Sequence, residues 1–378
     1  MKQILTLISI LLLHSIAGAQ TAEALYEEGV KLKKDKKIVE ALGKFKEAIK
    51  LKPDYTEALY ESGWCYNDMK EYNNALTNLN KAAITWSTMP KVFFERGYAN
   101  QMLYKYKDAL DDYFRARELK PDYTNIHKKI GEVYYQSEDY PNAILYFEKH
   151  ESVSTAEMLG KDYQYWYRRG FSYNAQKEYE KAIVSLEKSL AIKKDYLSTY
   201  LELGYACTKL KRSDEAIAWF QKAIDINAGD HVAYNGIAEV YRDNIKDCDK
   251  AIEWYNKTLK IKANERKANF GIGYCLNSKG NYTEARTYLK AAIAVEPTYT
   301  AAYVDLGYCE YMLNNYTEAL VQLNKALDLN AGSINALYYK GLVYIAKQEK
   351  QNALSVYEKL YTLAPATATK LKERIDKL

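Results

Sequence analysis

Past His14 the 378-residue chain holds three histidines, His127, His150 and His231. The first two fall near the start of one predicted helix and the end of the next, so an antiparallel hairpin brings them together. With no third ligand in view, the pair reads as structural filler at a joint rather than as a metal or catalytic centre. There are five cysteines. Cys65, Cys275 and Cys309 each stand two places after a glycine, where a small apolar side chain fits. A whole helix separates Cys275 from Cys309. Neighbouring helix axes lie about 8–10 Å apart, whereas bridged Cα atoms lie within roughly 7 Å, so these two do not pair. Cys248 lies in a polar turn and is the candidate exposed thiol. The Asn-x-Thr triplets at Asn281 and Asn315 read as turn chemistry. The chain shows no glycine-rich phosphate loop, CxxC pair, HExxH helix or GxSxG elbow. The expectation is a chain without catalytic residues, metal ligands or cofactor.

The elements that must position anything else are legible from Thr300 to Ser333. Tyr303, Leu306, Gly307, Tyr316, Ala319, Leu323 and Ala326 recur there at helical spacing in two blocks, split by Asn314 and Asn315 and closed by Asn330 to Gly332. That is helix, tight turn, helix, turn. Glycine inside a helix costs about 1 kcal/mol against alanine, so Gly307 implies a close approach, expected at Ala319. The same glycine recurs every 34 residues at Gly29, Gly63, Gly97 and Gly131, and again at Gly170 and Gly204. Ala238 stands in for it next, followed by Gly273, Gly307 and Gly341. These are ten units. The step from Gly131 to Gly170 is 39 residues, which places an insertion in residues 151–162, the expected bend or hinge. In the seventh unit the second-helix alanine slips to Ala251, so the turn Asp243 to Asp249 is expected to carry one extra residue.

Composition excludes several classes. Charged residues make up 27% with both signs interleaved and a net charge of +5, so no basic stripe for nucleic acid is expected. Lys2, the apolar run Ile4 to Leu13 and Ala17-Gly18-Ala19 have the three parts of a secretory signal peptide, with cleavage expected after Ala19. That run is shorter than the roughly 20 apolar residues of a membrane span. The mature chain is expected to be exported, to a periplasm or beyond, and soluble there.

A 34-residue helix-turn-helix period with this pattern of small and large residues resembles the tetratricopeptide repeat family over residues 22 to 365. Closing prolines stand at Pro53, Pro121, Pro297 and Pro365. The resemblance implies an all-α, right-handed superhelical solenoid of about ten repeats: units 1–4 over residues 20–150, units 5–10 over 163–365, and a capping helix over 366–378. It also implies that first helices line a concave groove holding an extended segment of a partner. In that family the second, fifth, ninth, twelfth and thirteenth places of each first helix face the groove. Here those places supply Tyr60, Trp64, Phe94, Tyr98, Met102, Tyr135, Tyr167, Phe171, Tyr205, Phe270, Tyr274, Tyr308, Tyr311 and Tyr338. Polar members are Asn67, Gln101, Lys128, Asn174, Arg242 and Asn277. The lysine and asparagine that clamp a terminal carboxylate in chaperone-binding relatives are missing.

The chain therefore reads as a non-catalytic protein-interaction scaffold, placed by its leader in an envelope or secretion assembly, with a protein or peptide as partner. A carbohydrate or cell-wall ligand on the same aromatic groove is the alternative. Tyrosine as a general filler competes with both, since the chain has 38 of them.

Overall fold

The computed structural model describes residues 20–123 and 125–378. The leader expected over residues 1–19 lies outside the described residues. The chain divides into two compact units, the first ending at Lys177 and the second running from Glu178 to Leu378. The first unit holds the hairpins α1–α2 (Ala22–Lys34, Ile38–Leu51), α3–α4 (Thr56–Asp68, Tyr72–Thr85), α5–α6 (Pro90–Met102, Tyr106–Leu119) and α7–α8 (Ile126–Gln136, Tyr140–Val153). A single turn, α9 (Ala156–Leu159), and α10 (Tyr163–Ala175) follow. The second unit opens on α11 (Tyr179–Ile192) and continues with α12–α13 (Leu197–Lys209, Ser213–Ile226) and α14–α15 (His231–Glu239, Cys248–Ile261). Then come α16–α17 (Arg266–Ser278, Tyr282–Val295), α18–α19 (Thr300–Met312, Tyr316–Leu329), α20–α21 (Ile334–Ala346, Lys350–Leu363) and α22 (Pro365–Ile375). Among the described residues the regular structure is all helical.

Outside the seventh repeat, the hairpin turns satisfy the orphan carbonyls at a helix end in a common way. The Lys70 amide donates to the Asn67 carbonyl and the Glu71 amide to the Tyr66 carbonyl, and Asn314 and Asn315 do the same to Tyr311 and Glu310. This is the paired-bond helix stop that ordinarily uses glycine at its left-handed residue. Here that residue is Lys36, Lys70, Tyr104, Glu138, Lys177, Lys211, Asn314 or Gln348, all with φ of 60–63°. Only the eighth repeat uses glycine, Gly280 at φ 81°.

Packing inside a hairpin depends on the marker glycine. A Cβ added at Gly307 would lie 2.6 Å from Leu323 Cγ, against 3.4 Å from the Ala319 carbonyl oxygen. The close approach predicted at Ala319 is thus made mainly by Leu323, one turn further along α19, whose branched side chain fills the space over the glycine. At Gly341 the intruding side chain belongs to α22, with Leu371 Cδ2 at 2.5 Å. Leu371 and Ile375 are wholly buried against Leu337, Val356 and Leu360. The C-terminal helix therefore closes the apolar end of the second unit.

Within each unit the first helices of successive repeats touch, as α3 with α5, α16 with α18 and α18 with α20. The second helices wedge behind them, so each unit has an inner face made of first helices. The seventh repeat departs from expectation. Its extra residue does not lengthen the turn; it is absorbed at the end of the first helix, which widens into a π-helical stretch over Val240–Ile245 and stops at Lys246, φ 66°. A π segment takes up one residue without breaking the helix, and it turns the side chains beyond it to a new direction.

Candidate functional site

On the inner face of the first unit, Trp64, Phe94 and Tyr98 border a cavity of about 310 Å³, with Asn67, Glu95 and Lys129 completing its wall. All three aromatics are half-buried. Lys33 Nζ stands 4.4 Å over the Trp64 ring and Lys129 Nζ 5.3 Å over that of Tyr98. Asn67 is buried, and its Nδ2 donates to the Glu95 backbone carbonyl and to Glu95 Oε2, both at 2.9 Å. Its Oδ1 is buried without a partner. Burial pushes the Glu95 carboxyl above its usual range, against the bond from Asn67 that favours the charged form. Tyr60, by contrast, is 8% exposed and packs at a tilt against Trp86 at 5.9 Å, so its ring belongs mostly to the core between repeats. Gln101 is likewise buried: it accepts from Tyr113 OH at 2.9 Å and donates to Gln136 at 2.8 Å. Met102 is exposed. Further along, Phe171 meets Tyr135, Tyr140 and Tyr167 at ring separations of 5.6, 5.7 and 6.3 Å. Asn174 is buried, and Lys128 pairs with Asp162.

The second unit carries a larger cavity, about 680 Å³, bordered by Arg242, Asp243, Phe270, Tyr274, Val304 and Asp305 among others. The π segment delivers Arg242 to it. Arg242 Nε and Nη2 each donate to Asp243 at 2.7 Å, and the guanidinium lies 5.8–6.0 Å from the rings of Tyr255, Phe270 and Tyr274. Burial works against its charge, but the bonds to Asp243 outweigh it and keep the group protonated. Asn277 repeats the part of Asn67, its Nδ2 donating to the Asp305 backbone carbonyl at 3.0 Å and its buried Oδ1 unpartnered. Burial raises the Asp305 carboxyl to about 7, against the field of Arg242. Tyr205 and Tyr274 are exposed, while Phe270, Tyr308, Tyr311 and Tyr338 are half-buried.

Tyrosines assigned to the groove lean on tyrosines that open second helices. Tyr98 meets Tyr72, Tyr205 meets Tyr179 and Tyr308 meets Tyr282, each edge-to-face at 6.1 Å. The ninth place of one repeat thus leans on the opening of the second helix in the repeat before.

His127 and His150 do line one cavity, about 570 Å³, together with Val153, Ser154 and Met158. Burial lowers both, His150 to about 4, and Ser154 Oγ lies 3.1 Å from His150 Nδ1. Among the described residues no group of three metal-ligating side chains converges. All five cysteines are free, and four are buried. Cys248, expected to be exposed, is half-buried, because α15 begins at it and it packs against the buried cluster that holds Tyr255 and Cys275.

Sequence reasoning missed the carboxylates at the sixth place of the first helices. Glu95 and Asp305 line the two cavities from that place. The signal was present: Glu27, Glu61, Glu95, Glu202 and Asp305 all occupy it.

Hairpins of this period, glycine placement and inner-face geometry define a helical repeat protein built to hold other chains. Tetratricopeptide repeat models match residues 162–227, 195–264, 276–343, 57–83 and 335–367, which together are more than half of the sequence. The chain belongs to the tetratricopeptide repeat family, and its class of activity is that of a protein-interaction scaffold. Anaphase-promoting complex subunit 3 of Schizosaccharomyces pombe is 29% identical over 90 residues, which are 24% of this chain and 14% of that protein. A solved structure from Pseudomonas aeruginosa, described as a functional characterization of pilF, aligns with a TM-score of 0.51 at 13% identity, covering 56% of this chain and 96% of that one. YrrB, described as a TPR protein with an unusual peptide-binding site, aligns with a TM-score of 0.43 at 22% identity, over 50% of this chain and 97% of that one. Among the described residues no helix is long and apolar enough to cross a membrane.

Proposed function

We propose that the chain holds an extended segment of a partner protein on the inner faces of its units, and that it does so outside the cytosol, in an envelope or secretion assembly. The observation that carries the first part is the pair of aromatic cavities, Trp64–Phe94–Tyr98 in one unit and Phe270–Tyr274 in the other. Each combines half-exposed rings with recessed polar groups on first helices. Rigid rings with few rotatable bonds lose little entropy on contact and anchor interfaces well. The amides at the twelfth place act as staples between repeats rather than as free ligands, which leaves recognition to the rings and to the charged groups beside them. The second part rests on the leader-like sequence of residues 1–19.

The test is capture from a native cell envelope by residues 20–378, beside the variant carrying Trp64→Ala, Phe94→Ala and Tyr98→Ala together. A protein retained by the native chain and lost from the variant, with helicity unchanged, is the expected result. Identical captured sets would move the working surface off this face. Loss of binding to cell-wall glycan rather than to protein would favour the carbohydrate alternative.

A further inference from the structure

The cavity of the second unit holds one carboxylate with no hydrogen bond or ion pair among the described residues. Arg242 is neutralised by Asp243 through two bonds of 2.7 Å. Asp305, across the same cavity, makes no hydrogen bond or ion pair through its carboxylate; the longer-range field of Arg242 is what reaches it. A half-buried carboxylate in that position is costly to maintain unless a partner supplies the missing donor. Its place is fixed from behind, because Asn277 grips the Asp305 backbone carbonyl at 3.0 Å. Beside it stand Phe270, half-buried, and Tyr274, 40% exposed, rings that offer a negative face to a cation.

We propose that this cavity takes a lysine or arginine side chain of an extended partner segment, seated against Asp305 beside Phe270 and Tyr274; this rests on the groove reading above. Charge decides the occupant. With Arg242 and Asp243 cancelling, the cavity carries the single negative charge of Asp305. An anionic side chain would meet the charge of Asp305 unopposed, because the charge of Arg242 is already balanced by Asp243. A neutral one would bury Asp305 without relief. The volume, about 680 Å³, accommodates one long side chain with its flanking backbone.

A displayed library of random heptapeptides, selected at pH 8 on residues 20–378, tests this directly. The expected result is a set of binders enriched in lysine or arginine at one fixed position. Replacing that residue by norleucine in a synthetic peptide should weaken binding about tenfold, the size of one charge-assisted contact. Asp305→Asn, near in shape, should lose the basic preference while still selecting peptides, and Asp305→Glu should recover it. Binders without a basic residue, or the same basic preference in Asp305→Asn, would overturn the proposal and leave the groove reading standing. Failure of the native chain to select any peptide would remove both. Circular dichroism of each variant separates loss of preference from loss of fold.

Discussion

At the scale of single residues, the second unit carries its own pH dependence. The Asp305 carboxyl titrates at about 7 in the fold and near 3.9 in an unfolded chain, so between these values the native state keeps a proton that the unfolded state has released. Stability from this group is therefore fully present below pH 4 and declines until about pH 7. Its neighbours Arg242, Tyr299 and Tyr339 are all held above their ordinary ranges and keep their protons across that window; Asp243 is tied to Arg242. Asp305→Asn should flatten the slope and stabilise the unit at pH 8 by about 1–2 kcal/mol, allowing for solvent screening of a half-buried group. Denaturant unfolding at pH 5 and pH 8 reads both effects. A second change concerns the left-handed turns. Lys70 sits at φ 62°, where a Cβ is strained, and Lys70→Gly should raise the melting temperature by an amount equivalent to about 1 kcal/mol. Neither feature stood out in the sequence, although the acids recur at one place. Acids at the sixth place look like members of a solvated helix face, and lysine in a turn looks like solubility rather than like a residue in glycine's conformation.

At the scale of elements, the sequence was most informative, because the 34-residue period sets which side chains meet. Gly307 announces its close approach by its type alone. What periodicity could not supply is direction: the intruder is Leu323 rather than Ala319, since a branched side chain reaches over the next turn. Gly307→Ala gains helix propensity but places a methyl 2.6 Å from Leu323 Cγ. The clash should win, with a net destabilisation of about 1–2 kcal/mol in urea unfolding. The edge-to-face pair Tyr72–Tyr98 should show a coupling of about 0.5–1.5 kcal/mol in a double-mutant cycle with leucine at each position. The π segment escaped the sequence because one extra residue can lengthen a turn or widen a helix with the same pattern. Its hydrogen bonds decide, and they follow from holding Ala251 and Tyr255 fully buried in α15.

At the scale of the whole molecule, the two compact units and the insertion stand as separate facts. The insertion is α9, a single turn with no buried residue, its start capped by Thr155 and its end tied by Trp166 Nε1 to the Leu159 carbonyl at 3.0 Å. Lys161 there is 74% exposed. Limited trypsin digestion of the native chain should cut first after Lys161; first cuts within the hairpins would show that the added residues are held as firmly as the repeats. Ring exposure was legible at regular places, as with Trp64 and Tyr274. It was not for Tyr60 and Gln101, which are buried, since burial depends on what the next repeat brings. The asparagine staples carry one more consequence, and it is mechanical. Asn67 and Asn277 join successive first helices by directional bonds to a backbone carbonyl, whereas Tyr311, at the equivalent place, packs its ring against the apolar cluster that holds Leu337 and Leu342 of the next first helix. Under tension, a directional bond holds its length and then snaps, while a ring packed on apolar side chains slides. The stapled joints are thus brittle and the ring-packed ones ductile, so each unit yields to a pull at places set by which amide or ring occupies the twelfth position.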